Sequence, residues 1–163
     1  MGGGEVVTLQ VGQCGNQVGC RFWDLILREH VLHNRVGMFN QALSAYFTDA
    51  DARCGASSQD ARALRARAVL VDMEEGVVAA ALRGPLRTLF DRRQIVTNVS
   101  GSGNNWAHGH EVYGPVHRDV LVEAVRRAAG SCDSLQCFSV VHSLGGGTGS
   151  GLGTYLLRAG KDE

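Results

Sequence analysis

The densest chemistry in this sequence lies in Gly145-Gly146-Gly147-Thr148-Gly149-Ser150-Gly151, set between the apolar runs Phe138–Ser143 and Leu152–Arg158. Without Cβ atoms, successive backbone N–H groups can turn inward around phosphate oxygens, and a following helix adds its positive end. Thr148 and Ser150 offer hydroxyl donors besides. A close-packed turn between strand and helix has the same composition, so the run alone leaves both readings open. Asp72, Glu74 and Glu75 lie at the end of the strand-like run Ala68–Asp72. Carboxylates there suit Mg²⁺, which takes one or two of them together with waters and phosphate oxygens. Acids at a helix start also complement its dipole, which is the structural alternative. Asn104 and Asn105 follow Gly101 and Gly103, where amides either bind ribose and phosphate or cap a turn. Cys14 lies in Gly12-Gln13-Cys14-Gly15-Asn16-Gln17, a glycine turn before a helix, which raises the reading of a reactive thiol. No general base is placed beside it. Trp106 reads as core packing rather than a base stacker. His108 and His110 stand two apart in a loop, a poor start for a metal site.

The usual nucleotide fingerprints are missing. Neither GxxxxGK[ST] nor GxGxxG occurs, and Lys161 is the only lysine among the 16 basic residues. Phosphates held here must therefore be neutralised by backbone donors and a bound cation.

The elements that would position these residues alternate. Glu5–Val11 reads as a strand, broken by Gly12–Gln17. A helix follows, with Val18, Phe22, Leu25 and Ile26 on its apolar face. A short helix is predicted near Asn40–Phe47 and a loop over Asp49–Ser58. Ala68–Asp72 is a strand buried on both faces, followed by a helix over Val77–Arg83. Gln94–Val99 is a third strand. Val116, Val120, Leu121, Ala124, Val125 and Ala128 form the apolar face of a further helix. Phe138–Ser143 is the fourth strand and Leu152–Arg158 the last helix. Four strand–helix repeats predict an α/β fold, a parallel Rossmann-like sheet with helices on both faces and right-handed crossovers. Ligands of such sheets bind at the carboxyl ends of the strands, where all four suspect loops fall.

Composition agrees with one globular domain. The chain has 163 residues, 44% hydrophobic and 20% charged, with 16 basic and 16 acidic residues. Zero formal charge argues against a broadly basic nucleic-acid binder. Glycine contributes 22 residues, well above the usual share of about 7%. Five cysteines, an odd count without a CxxC pair, point to reduced thiols and a cytosolic protein. The start Met-Gly-Gly-Gly-Glu has no signal-peptide character, and Val6 stands where myristoylation needs Ser or Thr. The uncharged run Ser134–Leu157 spans 24 residues, but its glycines, Gln136 and His142 argue against a membrane span.

GQCGNQ at Gly12–Gln17, ARAVLVDME at Ala66–Glu74, GSGNNWA at Gly101–Ala107 and GGGTGSG at Gly145–Gly151 resemble the tubulin family, in family order. Cys20–His30 and Cys132–Phe138 look like its epsilon branch rather than alpha or beta. The resemblance implies a GTP-binding domain. It places Gln13 and Cys14 in the first nucleotide loop, and Glu74, with Asp72 behind it, in the loop facing Mg²⁺ and the γ-phosphate. Gly103 and Asn104 fall in the next phosphate loop. Ser143, Gly145, Gly146, Gly147, Thr148, Gly149, Ser150 and Gly151 fall in the signature loop. It implies GTP and Mg²⁺ as ligands, and other tubulin subunits or centriolar proteins as partners. It also implies a place in the cytoskeleton at centrosomes, centrioles and basal bodies. Family chains are far longer, and this one stops just past the signature loop. The segments that recognise guanine and the acid that activates hydrolysis in a neighbour lie beyond it. Residues 1–163 thus read as a partial GTP-binding domain, a fragment or truncated product, and not as an enzyme in its own right. An inert fragment and a small Rossmann-like enzyme are the competing readings. The absent GxGxxG counts against the second.

Overall fold

The computed structural model describes residues 4–33, 41–49 and 64–160. Strand β1, Glu5–Val11, turns directly into helix α1, Gly12–His33. The expected turn at Gly12–Gln17 is therefore the beginning of the helix. Gly12 makes the switch alone, at φ +74°, a left-handed conformation open to glycine at no steric cost. Helix α2, Gln41–Ser44, leads into β2, Phe47–Asp49, which pairs antiparallel with β3, Leu64–Ala66. This small sheet was not foreseen; the helix predicted to reach Phe47 ends at Ser44, and most of the predicted Asp49–Ser58 loop lies outside the described residues. Then come β4, Ala68–Asp72, and α3, Glu75–Arg83. After β5, Ile95–Thr97, a π-helical turn at His108–Tyr113 opens α4, Gly114–Ala129. Strand β6, Leu135–His142, starts three residues earlier than predicted, and a second π-helical turn, Thr148–Leu152, opens α5, Gly153–Ala159.

The main sheet has the order β5-β4-β1-β6, with every pair parallel. Its two faces are covered by different helices. Val7, Leu9, Val11, Val69, Val71 and Val96 pack against Leu121, Ala124 and Ala128 of α4 and Leu156 of α5. Ala68 and Leu70 pack on the other face with Trp23 of α1, Val78 of α3, and Phe47. The predicted α/β sheet with helices on both faces is thus the observed one. The chain steps from β1 outward to β4 and β5 under one layer, then returns across β1 to β6 under the other. Such a reversal between β1 and β6 sends the helices that follow them, α1 and α5, to opposite faces of the sheet.

Two predicted apolar faces are met in part. On α1, Phe22 and Ile26 are partly buried against the core beside the fully buried Trp23, whereas Val18 and Leu25 are 51% and 55% exposed. On α4, Leu121, Ala124 and Ala128 are buried with Val125 packed beside them, while Val116 and Val120 are exposed. Trp106 is not core: it is 46% exposed and stacks on His110 at 4.5 Å. At the sheet's opposite end, the buried ion pair of Arg67 with Glu5 ties β1 to the segment before β4. Arg67 also donates to the Ser44 and Ser131 carbonyls, at 3.2 and 3.1 Å.

Candidate phosphate and cation site

The four loops at the carboxyl ends of β1, β4, β5 and β6 meet around one cavity of about 270 Å³. Its lining includes Gln13 and Cys14 from the first loop, and Asp72 and Glu74 from the second. Ser102, Gly103 and Asn104 come from the third, and Ser143 with Gly145–Gly149 from the fourth. Ser150 and Gly151 are buried away from it. The Ser150 hydroxyl donates to the carbonyl of Gly146, which precedes the π-helical turn, and so is not a free donor.

Glycine is needed here for close approach between loops. A Cβ on Gly12 would lie 2.8 Å from the Gly149 nitrogen, so the β1 and β6 loops touch through their backbones. A Cβ on Gly147 would run into the Ser102 side chain and reach within 2.8 Å of the Asn105 carbonyl. The forbidden direction for a side chain at Gly147 is therefore toward the β5 loop. Gly103 and Asn104 both hold positive φ, +59° and +55°. Consecutive left-handed residues curl the loop beside the cavity, a conformation that glycine takes freely and the short polar side chain of Asn at modest cost.

The acidic side is unevenly built. Asp72 is 3% exposed; its Oδ1 accepts from the Glu74 N–H at 3.3 Å, and its Oδ2 is buried without a hydrogen-bond partner. Burial pushes this carboxyl above the ordinary value near 3.8, and the neighbouring Glu74 charge adds to the rise. A buried carboxylate oxygen without a donor is costly, and a cation beside it removes the cost. Glu74 is exposed, and its carboxylate occupies the space that a Cβ on Gly101 would need. The residues therefore fit a triphosphate with a hard cation: backbone donors and hydroxyls on one wall, two carboxylates on the other. No aromatic side chain lines the cavity among the described residues. Its volume is also below the roughly 300–1,000 Å³ of pockets that enclose a whole small ligand.

Sequence reasoning missed Asn16 and Ser102. Asn16 is fully buried, and its Nδ2 donates to the carbonyls of Gly12 and Val71 at 3.0 and 3.1 Å, locking the start of α1 to the end of β4. Its place one helical turn after Gly12 was the available signal. Ser102 is buried between two loop glycines and meets Thr148 across the site. A larger recess, about 420 Å³, lies at the opposite end of the sheet. There Arg93 is paired with Asp91 and Arg67 with Glu5. His108 and His110 join no metal-binding group among the described residues. No helix there is long and apolar enough to cross a membrane.

Strand order and loop placement define the class, a parallel Rossmann-like α/β domain with its loops gathered at the switch point. Residues 5–163 match the model of the Tubulin/FtsZ family, GTPase domain, and the chain belongs to that family. It is 55% identical to the tubulin epsilon chain of Mus musculus and 54% to that of Homo sapiens, each over 98% of this chain and 34% of the relative. Similarity to the tubulin beta-1 chain of Colletotrichum graminicola is lower, 44% over 98% of this chain and 35% of the relative. The chain thus spans about a third of the length of these curated relatives. The family is described by its GTPase domain, which gives no support to the expectation of a chain without enzymatic activity.

Proposed function

We propose that this chain carries the phosphate- and magnesium-binding half of a GTP site in an epsilon-type tubulin. The observation that carries the reading is the convergence of four loops on one cavity with a glycine wall facing Asp72 and Glu74. In this reading the backbone N–H groups of Gly145–Gly149, with the Thr148 hydroxyl, hold the phosphates. Gln13 and Cys14 close the floor, Gly103 and Asn104 the mouth, and Asp72 with Glu74 hold Mg²⁺ directly or through water. A bound Mg²⁺ supplies charge neutralisation, the task for which no lysine stands among the cavity residues. The apolar wall of the sheet and the buried Asn16 clamp keep that geometry fixed.

The wider role follows from likeness to epsilon chains. We infer a structural constituent of microtubule-based assemblies, at the centrosome, centriole and basal body, with other tubulin subunits or centriolar proteins as partners. Hydrolysis in this reading needs an acid from a neighbouring subunit, so the chain binds GTP without turning it over alone. Replacing Glu74 with Ala is expected to abolish the magnesium dependence of GTP binding, measured by equilibrium titration with and without Mg²⁺. An unchanged dependence moves the cation from Glu74 to Asp72 or Glu75.

A further inference from the structure

The loops after β5 and β6 are joined by one side-chain contact, Ser102 Oγ to Thr148 Oγ1 at 2.9 Å. Ser102 is 6% exposed, and its own carbonyl accepts from the Asn105 N–H at 3.1 Å, which fixes the residue from the backbone side. Gly147 makes the meeting possible, because any Cβ there would displace the Ser102 hydroxyl. Thr148 lines the cavity at the first position of its π-helical turn.

A hydroxyl carries one proton and two lone pairs. Either oxygen of the pair can donate while the site is empty of anion. A phosphate oxygen can only accept, so with phosphate beside Thr148 the Thr148 proton must point to it. The Ser102 proton then points to Thr148 Oγ1. We propose that Ser102 is a positioning residue that sets this direction, a two-hydroxyl chain running from Ser102 through Thr148 to a phosphate oxygen. The proposal rests on the reading of the cavity as a phosphate site. Chained hydrogen bonds polarise one another, so Thr148 becomes the better donor for having Ser102 behind it. The chain also couples the β5 loop to the β6 loop, since the phosphate is held by one and oriented by the other.

The test is a mutant cycle read by titration with magnesium GTP. Ser102→Ala is expected to weaken binding roughly two- to tenfold, the worth of one hydrogen bond. In a Thr148→Val background Ser102→Ala is expected to have no further effect. In a Thr148→Ser background, where the hydroxyl is retained, the loss is expected to return. Melting temperatures of the ligand-free variants give an independent readout of the Ser102–Thr148 contact and show that each variant folds. Binding by the parent chain with no loss in Ser102→Ala, or an equal loss in the Thr148→Val background, overturns the positioning role and leaves the site reading standing. No magnesium GTP binding by the parent chain overturns both.

Discussion

Asp72 is the residue on which the cation argument turns. Burial holds its carboxyl above the ordinary range, so the folded chain binds that proton more tightly than the unfolded chain. Stability of the ligand-free chain therefore falls as pH rises from the unfolded value toward the raised folded one, and stays lowered above it. Asp72→Asn keeps an oxygen for the Glu74 N–H but carries no charge. It is expected to raise the melting temperature at neutral pH, to change it little below the unfolded value, and to lose affinity for magnesium. A lower melting temperature for Asp72→Asn at neutral pH contradicts this account. The position of Asp72 at a strand end was readable from the sequence, because the apolar run before it ends abruptly in acids. Its depth was not, because burial depends on α3 starting at Glu75 and on the loop after β5 closing over it. The Ser150 hydroxyl shows the same limit: residue type offers a donor, and only the folded loop reveals that the Gly146 carbonyl takes it.

Strands were easier to read than helix faces. Residues 68–71 are buried throughout, as their unbroken apolar run predicts. On α1 the apolar spacing selects Phe22 and Ile26, which are partly buried against the core, but also Val18 and Leu25, which are exposed; the closest packing on the sheet runs through Gly15, Gly19 and Trp23. A Cβ on Gly15 would strike the Val141 carbonyl, and one on Gly19 the Gln10 side chain. Backbone packed this closely to the sheet is marked by missing side chains, which a count of apolar residues passes over. Trp23 fills the space beyond these glycines, within ring contact of Phe22, Tyr46 and Phe47. Trp23→Ala is expected to destabilise the chain by about 3–5 kcal/mol, the usual cost of emptying a large aromatic site. Denaturant unfolding checks this; a loss below 1 kcal/mol, roughly the median for any substitution, would place the core of this layer elsewhere. The β2–β3 pairing escaped prediction because strands of three residues carry too little periodicity to stand out.

In the molecule as a whole, the outer strand β6 is exposed over most of its length. Strand β6 is the outer strand beyond β1, eight residues without charge or proline, with Leu135 and Phe138 38% and 41% exposed. An apolar recess of about 440 Å³ runs beside it, lined by Val125, Leu156 and Leu157 among others. Edges of this kind pair with further strands unless a charge blocks them. The 163-residue chain alone is expected to self-associate with rising concentration in sedimentation experiments, and Phe138→Lys to suppress it. A monomer at every concentration contradicts the expectation. The central claim is that the glycine wall and the two carboxylates together hold magnesium triphosphate, and amide hydrogen exchange of this same chain tests it most directly. Saturating GTP with Mg²⁺ is predicted to slow exchange at Gln13, Cys14 and Gly145–Gly149, and to slow it much less without Mg²⁺. Inorganic tripolyphosphate with Mg²⁺ is predicted to give the same pattern, since no aromatic ring lines the described cavity. Unchanged exchange at Gly145–Gly149 under saturating magnesium GTP, or protection confined to the recess around Arg65 and Arg93, would contradict it.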